Sequence, residues 1–218
     1  RQPYSKDVTA QVVKAFRDQG IAIGFYFSPD DFYFLHTEGK IISRNRPGVT
    51  PQENEALMEY DCAQIRELLT KYGDIDLMFL DGSAEGLKEL CWELQPNIMV
   101  TRGAMETPEQ FIPNVPMEGP WEACLTMGTQ WQYKPTNETY KSGTELIELL
   151  IETRAKGGNL LLNIGPKPNG EIPIEQEERL RHIALWNFVN GESIYNVRPW
   201  VVTNENNIWF TKRKGEDS

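Results

Sequence analysis

The 218-residue sequence contains little cysteine and little histidine, and both scarcities exclude kinds of site. Its three cysteines, Cys62, Cys91 and Cys124, stand far apart, and its two histidines, His36 and His182, form no His-x-x-x-His pair. These spacings do not match the short ligand repeats of zinc sites, so we predict no metal site. We interpret the cysteines as small buried side chains, because free cysteine is among the most buried residue types.

Long apolar runs and clusters of basic residues are also missing. No run approaches the roughly 20 apolar residues that cross a bilayer, and residues 1–20 contain no signal-peptide core. The net charge is −10, from 32 acidic and 22 basic residues, and the longest basic cluster is residues 212–214. We therefore expect no membrane-embedded segment. A nucleic-acid partner is not expected either, because phosphate binding requires a positive surface.

The sequence does contain an alternation of short apolar runs with amphipathic segments. It predicts strands at residues 21–27, 75–80, 98–101 and 159–164, with a fifth around 121–127. Between them it predicts helices at residues 8–16, 53–72, 84–94, 143–156 and 175–190. This order indicates a parallel sheet with crossover helices. The stretch from Pro29 to Pro51 is too long for a simple connection, and long loops in compact domains are usually functional.

Two folds fit this alternation, a doubly wound sheet and a β/α barrel. No Gly-x-Gly-x-x-Gly follows the first strand, and polar and aromatic residues gather after several different strands, which favours a (β/α)8-type barrel. Five strands fall short of the eight in a closed barrel, and the chain begins at Arg1 without a methionine. We therefore expect that about three N-terminal β/α units lie upstream in a longer protein.

The texture of the sequence changes near its end. Short alternating runs at residues 200–203 and 208–211 flank Asn206 and Asn207, which predicts a hairpin. We therefore interpret residues 1–198 as a partial catalytic barrel. Residues 199–218 would be the start of a C-terminal β-rich domain, expected to be a β-sandwich.

Polar side chains follow three of the predicted strands. In a β/α barrel the active site is built at the carboxyl ends of the strands. Asp81 follows the run IDLMFL, Arg102 follows the next strand, and Tyr26 and Ser28 lie at the end of the first. These groups predict a polar, hydrogen-bonding pocket. The alternative is that Asp81 or Ser83 caps the following helix.

A later loop combines acidic and aromatic residues. Such a mixture suits a carbohydrate, which offers hydroxyls to polar groups and C–H faces to aromatic rings. Glycoside hydrolysis uses two carboxyl groups, one ionised and one protonated. Loop glutamates are nevertheless more often solvated than catalytic. The residues concerned are Glu106, Glu109, Glu118, Glu122, Trp121, Trp131 and Tyr133.

Several motifs resemble those of the α-L-fucosidases of glycoside hydrolase family 29. The most specific is KGGNLLLNIGPKPNGEIP, followed by EQEERL and NGESIYNVRPW, within residues 156–200. The shorter motifs GFYFSPDDF, IDLMFLDG, ETPEQFIP and PWEACLTMGTQWQY are similar to family segments as well. Together the similarity extends from near residue 6 to residue 212.

The resemblance implies a retaining hydrolase that removes terminal α-L-fucose and needs no cofactor. Asp81 matches the position of the nucleophile that forms the glycosyl-enzyme. Glu109 matches the general acid/base of some members, and Glu122 matches the residue proposed in others.

The resemblance also extends to substrate-binding positions. Tyr26 and Arg102 match positions that contact fucose, and Trp121 and Trp131 are expected in the pocket wall. The implied substrate is a fucosylated glycan or oligosaccharide, met outside the cytosol in a periplasm, a lysosome or the extracellular space. The sequence does not indicate the oligomeric state or the linkage preference.

Three departures from the family pattern stand out. The family's adjacent histidine pair is absent from the sequence, Phe79 replaces a pocket tryptophan, and Ala104 replaces an aspartate. These departures keep open a catalytically impaired homologue that binds fucose without turnover. A generic α/β binding domain without a sugar site would require the long match to be coincidental.

Overall fold

The computed structural model describes residues 5–41, 43–44 and 46–215. They form two compact units, Arg1–Met105 and Glu106–Ser218, each with its own elements. This division into compact units falls after Met105 and does not test the predicted domain boundary after residue 198, which stays a prediction.

The first unit is a three-stranded parallel sheet with helices between the strands. The strands pair in the order β1-β2-β3. In chain order the elements are α1 (Val8–Arg17), β1 (Gly24–Phe27), α2 (Phe32–Thr37), α3 (Glu55–Lys71), β2 (Leu77–Leu80), α4 (Leu87–Leu94) and β3 (Met99–Val100). The predicted alternation of strands and helices is thus confirmed for this unit, although the strands are shorter than predicted.

The buried side chains of β2 explain why this apolar run forms a strand. Met78 and Leu80 alternate with Phe79 and pack in one cluster with Ile65 of α3 and Leu87 of α4. The first predicted strand begins at Gly24 instead of residue 21. At Ile23 the backbone N–H donates to the Asp76 side chain over 2.8 Å instead of to a neighbouring strand.

The stretch predicted as a long loop contains structure of its own. α2 begins after Asp31, whose side chain accepts a hydrogen bond from the Phe34 backbone N–H over 2.7 Å. Leu35 of α2 is fully buried and packs with Val49 and Leu57 in a second small core. The stretch is therefore not loop throughout, because residues 32–37 form a short helix that is fixed by this contact with α3.

The second unit joins a parallel strand pair to an antiparallel hairpin. β4 pairs with β5 from Glu122↔Asn159 to Thr126↔Asn163, and β6 pairs with β7. The elements are β4 (Glu122–Thr126), α5 (Gly143–Ala155), β5 (Asn159–Asn163), α6 (Ile174–Asn190), β6 (Val197–Glu205) and β7 (Ile208–Arg213). The predicted fifth strand and the predicted hairpin are both confirmed.

The fold is therefore mixed α/β, with parallel strands connected through helices. Within the described ranges the strands form three separate sheets of three, two and two strands. Barrel closure stays a prediction. In the part of the chain that the structure describes, no helix combines the length and apolarity that a membrane crossing requires. Cys91 and Cys124 are buried, as interpreted from the sequence, and Cys62 is half-buried.

Asp61 is a buried carboxyl group on the apolar stripe of α3. It is fully buried beside Leu57 and Ile65, and its two carboxyl oxygens have no hydrogen-bond partner among the described residues. Burial raises the pKa of Asp61 to about 8, and the charges of Asp31 and Asp30 add to this effect. The side chain is consequently protonated at neutral pH.

We predict that this carboxyl group makes the protein less stable as the pH rises. An unfolded aspartate ionises near its ordinary pKa of 3.8, whereas the folded one keeps its proton to about 8. Stability is therefore lost between these two values, by about 1.4 kcal/mol for each unit of pKa difference as an upper limit. Asp61→Leu is expected to remove this loss. The melting temperature of the variant should therefore exceed that of the parent by more at pH 8.5 than at pH 5. Equal gains at both pH values would contradict the prediction.

Candidate active site

Asp81 lies at the carboxyl end of β2, as the sequence predicts. Its backbone N–H donates to the Phe27 carbonyl at the end of β1 over 2.8 Å, which holds the two strand ends together. The alternative role as a helix cap was wrong. α4 begins at Leu87 with Gly86 at its N-cap, and the Glu89 side chain accepts from the Gly86 N–H.

Three of the predicted site residues meet Asp81 or one another at this edge of the sheet. The Tyr26 hydroxyl donates to Asp81 Oδ2 over 2.6 Å, and Arg102 Nη1 donates to Oδ1 over 3.0 Å. Phe79 lies beneath them, stacked on the Tyr26 ring at 5.7 Å between centroids and 5.4 Å from the Arg102 guanidinium. Because Phe79 is only 6% exposed, its ring supports these two side chains rather than presenting a free face.

Arg44 and Asp30 also belong to this cluster, although sequence reasoning did not single them out. Arg44 Nη2 donates to the Asp81 backbone carbonyl over 2.6 Å and to Oδ2 over 3.2 Å. The same guanidinium binds Asp30 through Nε at 2.9 Å and Nη2 at 3.3 Å. The available signal was the length of the stretch between Pro29 and Pro51, which carries both residues.

The electrostatics of the cluster keep Asp81 ionised. Burial alone would raise the pKa of Asp81, but the hydrogen bonds from Tyr26 and Arg44 and the charges of Arg44 and Arg102 outweigh it and lower the pKa. Burial, together with the neighbouring Asp81 carboxylate, raises the pKa of Tyr26 to about 12. Tyr26 therefore remains a hydrogen-bond donor to an ionised Asp81 across the neutral range.

Gly103 is needed where the chain turns beside this cluster. Its φ of +98° lies in the region that favours glycine. A Cβ there would lie 2.6 Å from the Ala84 Cβ and 3.2 Å from the Leu80 Cβ. A larger residue would therefore displace the chain directly after Arg102.

The other predicted site residues lie in the second unit, where Glu109 runs beside β4. Glu109 pairs with Cys124 in an isolated parallel bridge, and its side chain is exposed. The next residue, Gln110, adopts a φ of +65°, which is uncommon for a residue other than glycine. Its side-chain oxygen accepts from the Thr126 backbone N–H over 3.3 Å at the carboxyl end of β4. This contact anchors the segment that presents Glu109.

Glu122 and Trp121 lie at the amino end of β4 and are both 2% exposed. Glu122 Oε2 accepts from the Asn159 side chain over 2.6 Å. Trp121 donates through Nε1 to the Lys156 carbonyl over 3.3 Å and packs in the core of this unit. The fourth residue, Trp131, follows β4 in a loop and is exposed. Of the two tryptophans predicted in the pocket wall, Trp131 is the accessible one.

No group of three or more His, Cys, Asp or Glu side chains that could hold a metal ion occurs within residues 5–41, 43–44 and 46–215. The functional groups around Asp81 are carboxylate, phenol and guanidinium groups.

Comparison with known proteins decides the family. A sequence profile described as Alpha-L-fucosidase matches residues 1–192. The chain belongs to the alpha-L-fucosidase family. The resemblance found in the sequence motifs is thereby confirmed.

Relatives of this alpha-L-fucosidase family member occur in eukaryotes and bacteria. An alpha-L-fucosidase of Dictyostelium discoideum is 28% identical over 94% of the chain and 49% of its own length. A plasma alpha-L-fucosidase of Rattus norvegicus is 38% identical over 48% of the chain and 24% of its own length. The structure of alpha-L-fucosidase isoenzyme 1 from Paenibacillus thiaminolyticus matches with a TM-score of 0.80 at 28% identity, covering 95% of the chain and 58% of that protein. The chain thus spans about half the length of the Dictyostelium relative, and its match to the rat enzyme covers about a quarter of that protein.

Proposed function

We propose that the protein is a glycoside hydrolase that removes terminal α-L-fucose from glycans or oligosaccharides, with retention of anomeric configuration. The observation that carries this proposal is the Asp81 carboxylate, kept ionised at a strand end by Tyr26, Arg44 and Arg102. An ionised, oriented carboxylate is what the first step of a retaining glycosidase requires. Membership of the alpha-L-fucosidase family supports fucose as the sugar.

The proposed reaction has two displacement steps. Asp81 attacks the anomeric carbon, the bond to the leaving oxygen breaks, and that oxygen takes the proton of Glu109. The Glu109 carboxylate then takes a proton from water as the water oxygen attacks the same carbon, which releases Asp81 and fucose. We favour Glu109 over Glu122 because Glu109 is exposed, whereas Glu122 is buried against Asn159.

The remaining site residues act on the sugar in this proposal. Arg102 and Tyr26 contact fucose hydroxyls, Trp131 lines the pocket, and Phe79 supports Tyr26 and Arg102 from below. Trp121 stabilises the second unit instead of touching sugar, since it is packed in its core. No cofactor takes part. Because the substrate is a glycan, and one relative is a plasma enzyme, we infer a location outside the cytosol.

The proposal is tested by incubating the purified protein with 4-nitrophenyl α-L-fucoside and following both 4-nitrophenol release and the first fucose anomer by proton NMR. Release of fucose with the α anomer appearing first supports a retaining fucosidase. Release of the β anomer first contradicts the double-displacement mechanism. An inert protein whose melting temperature rises with fucose identifies the impaired, fucose-binding homologue instead. The matched control is 4-nitrophenyl β-D-galactoside, which is expected to remain intact.

A further inference from the structure

Arg44 bridges two acidic residues that stand far apart in the sequence. One guanidinium binds both oxygens of the Asp30 carboxylate through Nε and Nη2, and it binds the carboxylate and the backbone carbonyl of Asp81 through Nη2 and Nη1. Asp30 is 7% exposed, and Ser28 donates to its Oδ1 over 2.7 Å. The Arg44 side chain therefore has a fixed anchor on one side and the site carboxylate on the other.

We propose that Arg44 is a positioning residue for Asp81, and that the buried Asp30 holds Arg44 in place for this role. This inference rests on the proposed function of Asp81 as the nucleophile.

The direction of the contacts argues for positioning rather than for simple charge compensation. Arg102 already neutralises Asp81 from the Oδ1 side. Arg44 adds a 2.6 Å hydrogen bond to the Asp81 backbone carbonyl, which fixes the position of the main chain at Asp81. It also adds a 3.2 Å hydrogen bond to Oδ2, which fixes the orientation of the carboxylate. A planar guanidinium can make such paired contacts, whereas a lysine ammonium is a point charge without this geometry.

The burial of Asp30 gives the arrangement its rigidity. A nearly buried carboxylate is costly to leave without a partner, so Asp30 favours conformations in which Arg44 stays bound to it. The two-point contact at 2.9 and 3.3 Å also restricts rotation of the guanidinium. Asp30 therefore orients Asp81 through Arg44 without touching it in any described contact.

The experiment compares Arg44→Ala, Arg44→Lys and Asp30→Asn with the parent protein. Arg44→Ala is expected to lower kcat/KM for 4-nitrophenyl α-L-fucoside about 10- to 100-fold, the range for loss of hydrogen bonds to a charged group. Arg44→Lys is expected to recover only a small part of this loss. Added guanidinium at millimolar concentration is expected to restore activity to Arg44→Ala. Arg46→Ala, which removes an exposed arginine of the same segment, is expected to leave activity unchanged.

The ionisation of Asp81 gives a readout that does not depend on turnover. The groups facing Asp81 are Tyr26 from β1, Arg102 after β3, and Arg44 with its partner Asp30. Loss of Arg44 removes its hydrogen bonds to the Asp81 carboxylate and one positive charge, so the pKa of Asp81 is expected to rise. Carbon-13 NMR titration of the side-chain carboxyl groups measures this pKa, with Asp81→Asn identifying the Asp81 signal.

The outcomes separate the two proposals. If the parent does not hydrolyse the fucoside, the proposed function fails, and the NMR titration still decides whether Arg44 controls Asp81. A raised Asp81 pKa in Arg44→Ala, with guanidinium lowering it again, supports the inference. An unchanged Asp81 pKa in a variant that keeps its circular dichroism spectrum overturns it. Parental activity in Arg44→Lys also overturns the inference, because a positive charge alone would then suffice.

Discussion

Asp81→Ala is expected to lower kcat for 4-nitrophenyl α-L-fucoside by about 10⁴-fold or more, the scale seen when a catalytic nucleophile is removed. The variant loses the atom that attacks the anomeric carbon, and Tyr26, Arg44 and Arg102 lose the carboxylate that they bind. The measurement is single-substrate kinetics of parent and variant at several pH values. Asp74→Ala is the matched control, since this exposed aspartate lies in the same unit outside the cluster.

Azide provides the decisive second measurement for Asp81→Ala. The removed side chain leaves space on the face from which it attacked, and azide can displace the leaving group from that face. The product is then β-L-fucosyl azide, with inverted configuration, and activity returns in proportion to azide concentration. If the variant keeps parental activity without azide, or if azide gives the α product, Asp81 is not the nucleophile.

The pH dependence of the parent follows from the same contacts. Because the pKa of Asp81 lies below its ordinary value, the acidic limb of the kcat/KM profile is expected below that value. Asp81 is then ionised throughout the weakly acidic and neutral range, while Tyr26, with a pKa of about 12, stays protonated. The lowered pKa also means that Asp81 contributes stability above its unfolded pKa, and this contribution is lost as the pH falls through the folded value.

The sequence was sufficient to place Asp81, Arg102 and Tyr26 because local patterns determine strand ends. An apolar run such as residues 75–80 forms a strand buried among helices, and the polar residue directly after it lies at the sheet edge. Parallel pairing then brings neighbouring strand ends together, as the register Tyr26↔Phe79 shows. The motif resemblance added the family, which the structure alone does not identify.

Arg44 could not be found this way because its partners are distant in sequence. The contact with Asp81 spans 37 residues, and it depends on how the stretch that carries Arg44 folds. That fold in turn depends on α2, a six-residue helix that is too short to show helical periodicity. Hydrogen bonding of one side chain to two remote acidic residues leaves no mark in a local pattern.

Trp121 shows the opposite error, in which a local signal suggested the wrong environment. A tryptophan beside a glutamate in a predicted loop is typical of a sugar site, yet this ring is buried against Gly158. A Cβ at Gly158 would lie 2.5 Å from the ring, so the indole occupies space that only glycine leaves.

The second large effect concerns the proton donor. Glu109→Gln is expected to lower kcat/KM by about 10²- to 10⁴-fold for fucosides with a poor leaving group, the usual contribution of general acid catalysis. For 2,4-dinitrophenyl α-L-fucoside the expected loss in kcat/KM is small, because this leaving group departs without a proton. The measurement is kcat/KM, which reports the first displacement, across a series of aryl fucosides with different leaving-group pKa values.

Glu122→Gln is the matched comparison. The amide keeps an oxygen that can accept the 2.6 Å hydrogen bond from Asn159, so the buried end of β4 loses little stability. The leaving-group dependence of the variant is expected to match that of the parent.

Glu109→Ala with azide adds a stereochemical test. Azide needs no general base and attacks the glycosyl-enzyme, which yields α-L-fucosyl azide of retained configuration, opposite to the product from Asp81→Ala. If the steep leaving-group dependence and the retained azide product appear in the Glu122 variants instead, the acid/base role passes to Glu122. The buried carboxyl at the amino end of β4 would then have to become accessible during turnover.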